Sequence, residues 1–142
     1  MAVAALIVRA GVDDDGRPLP DSPPRVLAMR RAPTNLAGPG LWETLSGRVE
    51  QGEEPRDAVL REIEEESGLS VALELRPFAT YAATRRGLPM VVILYRARWL
   101  AGEVRRSHEH DAHAWLTADA FGARSSLDKL VDVVADALRE PL

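Results

Sequence analysis

Residues 47–69 have the sequence GRVEQGEEPRDAVLREIEEESGL. Pro55 suits the first turn of a helix, because the backbone N–H that proline lacks would have no helical partner there. Gly68 suits the end of a helix, because glycine adopts a positive φ without a steric penalty. Together these two residues predict a helix over residues 55–67.

The predicted helix carries three carboxylates on one face. At about 100° per residue, Glu62, Glu65 and Glu66 fall within one narrow sector. Val59 and Ile63 fall in an adjoining sector, which can face a core. Like charges at this spacing repel one another by a few tenths of a kcal/mol per pair, whereas hard cations such as Mg²⁺ and Mn²⁺ require clustered oxygen ligands. The spacing fits a metal site, and it fits a solvated acidic face equally well.

The residue identities in this stretch are more specific than its charge. They are Gly47, Glu53, Arg61-Glu62-Ile63, Glu65-Glu66 and Gly68-Leu69. This pattern resembles the signature of the Nudix hydrolases at every position. The resemblance implies an α+β fold of the Nudix type, which is an α/β/α sandwich with a mixed β-sheet between helices. It also implies that the signature forms a loop, a helix and a second loop.

The bulk properties fit one globular domain over residues 1–142. The chain has a net charge of −4 and no cysteine, and 46% of its residues are hydrophobic. The charge argues against a protein that coats a nucleic-acid polymer, and the lack of cysteine excludes disulfides and thiolate metal sites. The apolar start lacks a basic leader, and no apolar run reaches the roughly 20 residues of a membrane helix. We therefore expect a cytoplasmic protein that does not bind a membrane.

Apolar segments between turn formers predict the order strand, strand, helix, strands, helix. The segments between the strands are expected to be loops, and residues 11–24 a long, mobile connection that does not pack. The predicted strands cover residues 2–10, 25–31, 41–45, 71–84 with a break near Pro77, 90–100 and 112–116. The other predicted loops cover residues 32–40, 85–89 and 101–111.

Helix caps and an apolar stripe are expected after the last strand. Thr117 can cap a turn over residues 118–121, and Ser125 or Ser126 can cap a final helix that reaches Arg139. The apolar side of this final helix is predicted to face the core. Its residues are Leu127, Leu130, Val131, Val134 and Leu138.

By resemblance, the three glutamates of the helix are metal ligands, joined by the backbone carbonyl of Ser46. The expected cofactor is Mg²⁺ or Mn²⁺, because a divalent metal neutralises charge on a diphosphate and promotes the ionisation of water. Glu65 or Glu66 is the first candidate for the group that accepts the proton from water. Ser46 departs from the Pro-Gly-Gly that family members usually carry before the signature. We expect this departure to alter the loop geometry rather than the ligand.

A further carboxylate is expected from a loop across the site. Glu109 matches the acidic position that the family commonly has before a tryptophan, here Trp115. It is a candidate fourth ligand or general base, with a plain surface carboxylate as the alternative and Asp111 as the next candidate. The histidines of this segment are expected to face solvent, or one of them to touch substrate, with a zinc site as the less favoured alternative. These histidines are His108, His110 and His113.

By resemblance, Glu53 is expected to pair with Arg61, which would hold the loop against the helix, or to touch the metal through water. The alternative is an ordinary capping pair with Arg61. Gly47 and Gly68 are expected to shape the two ends of the signature.

Arginines are expected to bind phosphate, since guanidinium matches phosphate oxygens in pairs, although each alone also fits a surface position. The candidates are Arg30, Arg31, Arg48, Arg85 and Arg86. A base could stack on Tyr81 or on Trp42, which otherwise fits a packing role.

The resemblance implies a Mg²⁺-dependent pyrophosphohydrolase. Its substrate would be a small nucleoside diphosphate-linked compound, such as a nucleoside triphosphate or an ADP-ribose-like molecule. Two other classes fit the residues: a non-catalytic, nucleotide-sensing Nudix domain, and an α+β interaction domain whose acidic helix is incidental. Sensor domains tend to lose a glutamate, and this chain retains all of them. Family members often dimerise, so the resemblance also allows a homodimer.

Overall fold

The computed structural model describes residues 1–35, 38–85 and 87–141. Within these residues the chain forms one mixed β-sheet and three helices. In chain order the elements are β1 (Ala2–Arg9), β2 (Arg25–Arg31), β3 (Trp42–Glu43), β4 (Leu45–Arg48), α1 (Pro55–Ser67), β5 (Ser70–Leu73), β6 (Ala79–Arg85), β7 (Leu88–Ala101), β8 (His110–Leu116), α2 (Ala118–Arg124) and α3 (Asp128–Arg139).

Strand β1 lies at the centre of the sheet and is buried on both faces, which explains its nearly continuous apolar sequence. It pairs in parallel with β7, from Ala2 opposite Val92 to Val8 opposite Arg98. Its alternate residues enter two separate cores: Val3 and Ile7 pack on the side of α1, and Ala4 and Leu6 on the side of α2 and α3. The predicted α/β/α sandwich with a mixed sheet is therefore confirmed.

Strands β1 and β2 diverge, and residues 42–48 fill the space between them. The two strands pair only at Val8–Val26 and Arg9–Arg25. Beyond that point β3 pairs with β2, and β4 pairs with β1. The single strand predicted over residues 41–45 is therefore wrong, because the segment changes partner at Thr44 and continues to Arg48. This insertion carries the start of the signature into the middle of the sheet.

Helix α1 has the predicted bounds. Gly68 ends it with a φ of 67°, and its N–H donates to the Ile63 and Glu64 carbonyls at 3.1 Å. Val59 and Ile63 are fully buried against the sheet, as their spacing predicts. Packing of this apolar side fixes the rotation of the helix, and so it determines where the adjoining carboxylates lie.

The connection between β1 and β2 packs against the sheet, contrary to the expectation for residues 11–24. Val12 is buried in the core beside α1. The Trp115 N–H donates to the Asp14 carbonyl at 2.8 Å, and Arg25 pairs with the Asp14 carboxylate. A sequence of turn formers thus forms an ordered loop, because hydrogen bonds within it, such as that from the Asp13 N–H to the Arg17 carbonyl, are joined by the one to strand β8.

The remaining strands agree with the prediction except at their ends. The segment predicted over residues 71–84 is indeed two strands, β5 and β6, on either side of Pro77. Strand β7 begins within the predicted turn of residues 85–89, and β8 begins at His110, within the predicted loop of residues 101–111. Among the described helices, none has the length and apolar character needed to cross a membrane.

The caps of the last two helices agree only in part with prediction. The Thr117 hydroxyl accepts from the Ala120 N–H at 3.2 Å, and α2 extends past the expected turn to Arg124. Neither Ser125 nor Ser126 caps α3, because its cap position is Leu127, without a side-chain bond. Ser125 instead donates to the Trp42 carbonyl at 2.8 Å. Leu130 and Val134 of the predicted apolar stripe are buried in the core.

Candidate active site

Arg61 ties the loop before α1 to the helix. Its Nε and Nη2 atoms donate to the two oxygens of Glu53 at 2.9 and 3.0 Å, and Nη2 also donates to the Arg48 carbonyl at 3.0 Å. Hydrogen bonds from Arg61 and from the Glu50 backbone lower the pKa of Glu53 to about 2. The predicted pair is therefore present, and it holds residues 48–53 against α1.

Glu62 lies directly against the backbone of Gly47. A Cβ at position 47 would lie 2.7 Å from Glu62 Cγ and closer still to the carboxyl group, so any side chain there would displace Glu62. Arg61 Nη1 donates to Glu62 Oε1 at 2.8 Å. Burial raises the pKa of Glu62, and the hydrogen bond from Arg61 opposes this effect. The carboxylate is thus held against β4.

Glu66 is the most deeply buried of the three helix carboxylates, with 2% of its surface exposed. The Ser46 N–H donates to Glu66 Oε1 at 3.0 Å. In an antiparallel strand the N–H and C=O groups of one residue point to the same side, so the Ser46 carbonyl is directed toward the same edge. Burial and the charges of neighbouring carboxylates, Glu62 first among them, raise the pKa of Glu66 to about 10.

Glu65 lies on the exposed side of α1, where its Oε2 atom is 3.4 Å from Arg61 Nη1. Across residues 1–35, 38–85 and 87–141, no three acidic or histidine side chains already converge on one point as a metal site. The carboxylates instead bond to Arg61 and to the Ser46 N–H. Their chemistry still fits a hard cation, because the donors are carboxylate and carbonyl oxygens.

Glu43 is a buried carboxylate of β3 that the sequence analysis did not single out. Arg31 Nη2 donates to its Oε1 at 2.9 Å, and His110 Nε2 lies 2.9 Å from its Oε2. Burial alone would raise the pKa of Glu43, but the hydrogen bonds from His110 and Arg31 lower it. An acidic residue inside the strand-like segment Trp42-Glu43-Thr44-Leu45 is the signal that could have identified it, since a buried charge requires partners.

His110 is buried, with 4% of its surface exposed, so the expectation that it faces solvent is wrong. Its Nδ1 atom lies 3.5 Å from Glu66 Oε2 and makes no hydrogen bond within the described parts of the chain. His108 is exposed and lines the open cleft that Ser46 and Glu62 also line. The half-buried His113 contacts Arg106 Nη1 through its Nδ1 atom at 3.0 Å.

Glu109 is exposed at the mouth of the site, and its backbone carbonyl accepts from the Ala32 N–H at 2.9 Å. It lines the same cleft as Glu62, and its negative charge contributes to the raised pKa values of Glu62 and Glu66. Asp111, the other candidate, instead accepts from Arg30 Nε at 2.8 Å. Of the two predicted carboxylates, Glu109 is the one that the structure brings beside the helix glutamates.

An open cleft with a volume of about 1090 Å³ runs from these carboxylates toward the start of α3. Ser46, Gly47, Glu62 and Glu109 lie at one end. Tyr81 of β6, Met90 of β7 and Leu127 line the other end. Strand β4 and helix α1 therefore supply an acidic end, and β6, β7 and the segment before α3 supply a largely apolar one.

Three of the five candidate arginines line this cleft. They are Arg31, Arg48 and Arg85. Arg30 does not, since its guanidinium is bonded to Asp111, and Arg86 lies outside the described residues. Trp42 is packed against the core, with the Arg124 guanidinium 5.1 Å from its ring centre. Of the two aromatic candidates for base stacking, Tyr81 is therefore the one that lines the cleft.

The sandwich, the signature helix and the acidic cleft define a hydrolase of phosphoric anhydrides. A family model described as NUDIX domain matches residues 4–137. The chain belongs to this family and is a Nudix hydrolase.

Similar proteins agree with this assignment. A MutT-like protein from Streptomyces ambofaciens is 34% identical over 124 residues, which are 87% of this chain and 68% of that protein. CTP pyrophosphohydrolase from Escherichia coli (strain K12) is 29% identical over 116 residues, which are 80% of this chain and 76% of that protein. The crystal structure of a C. elegans Ap4A hydrolase binary complex has a TM-score of 0.75 at 17% identity, covering 96% of this chain and 94% of that one. This last likeness is one of fold.

Proposed function

We propose that the protein is a Mg²⁺- or Mn²⁺-dependent pyrophosphohydrolase that cleaves a diphosphate bond in a nucleoside diphosphate-linked compound. The observation that carries this proposal is that Glu62 lines the cleft against Gly47, while Glu66 lies behind it on the Ser46 N–H. The substrate is a nucleoside triphosphate or an ADP-ribose-like molecule. The catalytic activities named for the CTP pyrophosphohydrolase and the Ap4A hydrolase are of this general kind.

The helix glutamates and the Ser46 carbonyl are the groups that would hold the cation, with Glu109 able to add a ligand from the opposite side. A bound divalent ion supplies charge neutralisation at the phosphates and lowers the pKa of water. Glu62 is already oriented for this by Arg61 and Gly47. Glu65 would have to leave its exposed ion pair with Arg61 in order to bind the cation. Exposed ion pairs contribute little free energy of stabilisation in water, so this change is easy.

The arginines of the cleft bind the phosphate oxygens of the substrate. Arg31 and Arg48 line the acidic end, so they attract the anionic diphosphate and offset its repulsion by the carboxylates, and Arg85 of β6 lines the other end. The proton of the attacking water passes to a carboxylate. Glu65 or Glu66 is the first candidate and Glu109 the second.

The apolar end of the cleft accepts the nucleoside. Tyr81 is half-buried, and burial raises the pKa of its phenol, so the ring remains neutral at physiological pH. Met90 and Leu127 supply apolar surface beside it. A base is flat and polarisable, and stacking on an aromatic ring tolerates different bases, which fits a substrate recognised mainly through its diphosphate.

The proposal is tested with a substrate panel, in which each compound is assayed with Mg²⁺ and its products are identified. The panel contains nucleoside triphosphates, dinucleoside polyphosphates and ADP-ribose. The matched pair of variants is Glu66→Gln and Glu64→Gln, because Glu64 is exposed on the same helix. We expect hydrolysis of at least one compound. Activity should fall about 100-fold or more in Glu66→Gln, since the electrostatic contribution of a metal is several kcal/mol, and should persist in Glu64→Gln. Tight binding of a nucleotide without cleavage by the wild type would instead identify a sensor.

A further inference from the structure

A buried pair behind the acidic end of the cleft has no role in the function proposed above. His110 Nε2 lies 2.9 Å from Glu43 Oε2, and His110 Nδ1 lies 3.5 Å from Glu66 Oε2. The imidazole thus separates two carboxylates, each of which is less than one-tenth exposed. Glu43 is itself held by Arg31. Because an ionised carboxylate only accepts hydrogen bonds, Glu43 requires the N–H on Nε2 and so sets the orientation of the ring.

The same histidine connects the loop of Glu109 to the sheet. His110 is the first residue of β8 and lies opposite Arg31 of β2. The preceding residue, Glu109, is attached to the same region through its carbonyl, which accepts from the Ala32 N–H. The buried side chain therefore fixes the point at which the exposed loop enters the sheet, one residue away from the carboxylate at the mouth of the cleft.

Glu66 is consequently bonded on one side and packed against the imidazole on the other. The Ser46 N–H binds one carboxylate oxygen, and the imidazole of His110 faces the other. Without that ring, Glu43 and Glu66 would face each other across a buried space, and two ionised carboxylates in such a site repel strongly. The Ser46 N–H alone would then have to keep the carboxylate beside β4.

We propose that Glu43 and His110 form a positioning pair, which fixes the Glu66 carboxylate beside Ser46 and the point at which the Glu109 loop reaches the cleft. This inference rests on the proposed hydrolase function and assigns to two further residues a part in it. Neither residue contacts the substrate. Their effect passes through Glu66 and Glu109, so they should alter the affinity for a cation and kcat more than KM.

The test uses His110→Ala, His110→Asn, Glu43→Gln and, as a control on the same strand, His113→Gln. Each is measured by Mn²⁺ titration calorimetry on the free protein, by kcat and KM on the best substrate, and by thermal unfolding. Loss of a residue that orients a metal ligand typically weakens metal binding by about 10–100-fold, and we expect this range for His110→Ala. Asparagine places an amide near the position of Nδ1, so His110→Asn should recover part of the Mn²⁺ affinity. His113→Gln should match the wild type.

The expected pattern is a fall in Mn²⁺ affinity and kcat with KM within about threefold of the wild type. If His110→Ala does not fold, Glu43→Gln, which keeps the side-chain shape, should show the same pattern with a smaller amplitude. A lower melting temperature with unchanged Mn²⁺ affinity and kcat would overturn the positioning role and leave a purely structural histidine, while the hydrolase proposal stands. A wild type that neither binds Mn²⁺ nor cleaves any compound would overturn both.

Discussion

The backbone of Gly47 lies in direct contact with the carboxyl group of Glu62, so closely that a β-carbon at position 47 cannot coexist with it. The φ of Gly47 is not in the left-handed region, so the chain needs glycine here for space and not for backbone freedom. Strand β4 and helix α1 approach each other at this point. The glycine of the signature thereby places a carboxylate at the wall of the cleft.

Gly47→Ala should therefore displace Glu62 with little backbone strain. We expect kcat/KM to fall at least tenfold and Mn²⁺ affinity to weaken, as measured by steady-state kinetics and calorimetry. The matched control is Gly52→Ala in the same loop. A Cβ at Gly52 meets open space, but its φ of 80° strains alanine. Gly52→Ala should therefore lose some stability and retain activity, and equal losses of activity in both variants would contradict the steric explanation.

Glu53 should make the fold sensitive to acid. Its pKa is lowered to about 2 in the folded protein by the hydrogen bonds from Arg61 and the Glu50 backbone, whereas an unfolded glutamate titrates near 4.3. Between these values the unfolded chain binds more protons, so stability is complete above about pH 4.3 and falls as the pH approaches 2. Denaturant unfolding from pH 6 to pH 2.5 should show a shallower loss for Glu53→Gln than for the wild type. The exposed neighbour Glu54→Gln should follow the wild type, and identical slopes for all three proteins would refute the role of the pair.

Glu66 should have the opposite effect on stability. Burial and nearby carboxylates raise its pKa to about 10, so metal-free protein is most stable below the unfolded value near 4.3 and loses this contribution as the pH rises toward 10. Glu66→Gln removes that cost and can still accept from the Ser46 N–H. At pH 8 with EDTA we expect the variant to melt roughly 3–8 °C higher, which corresponds to about 1–2 kcal/mol.

Saturating Mn²⁺ provides the converse measurement on the same two proteins. A cation that binds only the folded state stabilises it by about 2.7 kcal/mol at 100 times its Kd. The wild type should gain this stabilisation, and Glu66→Gln should gain little. An Mn²⁺-induced shift of equal size in both proteins would show that Glu66 does not hold the cation.

Arg96 should affect stability without affecting the site. Its side chain is buried, with 5% of the residue exposed. The guanidinium donates to both Glu74 carboxylate oxygens at 2.7 and 2.8 Å. It also donates to the Ala137 and Glu140 carbonyls at the end of α3. Arg96→Met leaves these groups unpaired, and breaking a buried pair costs about 3–5 kcal/mol. Because Glu74 is about one-third exposed, we expect about 2–3 kcal/mol in urea unfolding, with Mn²⁺ affinity unchanged. Arg98→Met, an exposed position on the same strand, serves as the control and should be nearly neutral.

Tyr81 should determine how strongly the nucleoside binds. Stacking of a base on an aromatic side chain contributes about 1–3 kcal/mol, so Tyr81→Ala should raise KM about tenfold or more while kcat changes less. Tyr81→Phe keeps the ring and should behave like the wild type. Thr80→Ala, the adjacent exposed position of β6, controls for changes in the strand itself. A KM that Tyr81→Ala leaves unaltered would place the nucleoside elsewhere.

Local signals predicted the signature helix and its acidic face well. Pro55 and Gly68 marked its ends, and the 3.6-residue period placed Val59 and Ile63 on the buried side. These features depend on residues within a few turns of one another, so the sequence contains all the information needed. The central strand β1 was equally clear, because a strand covered on both faces has an unbroken apolar run.

Other features depended on contacts that no local pattern contains. The adjacent arginines of β2 have different partners and positions. Arg31 lines the cleft and pairs with Glu43, whereas Arg30 pairs with Asp111. The sequence predicts a polar loop around His110, yet β8 buries this residue beside Glu66. In both cases the outcome depends on which strands pair and in what register, which is a property of segments far apart in sequence.

The sequence by itself therefore determined the family signature, the bounds of α1 and the angular positions of its three glutamates. The tertiary structure decided the rest of the site. Divergence of β1 and β2 admits residues 42–48 between them, which brings Glu43 and Ser46 to the helix carboxylates. The physical reason is the range of the interactions: helix periodicity and capping act over a few residues, whereas a buried charge finds partners only after distant strands have paired.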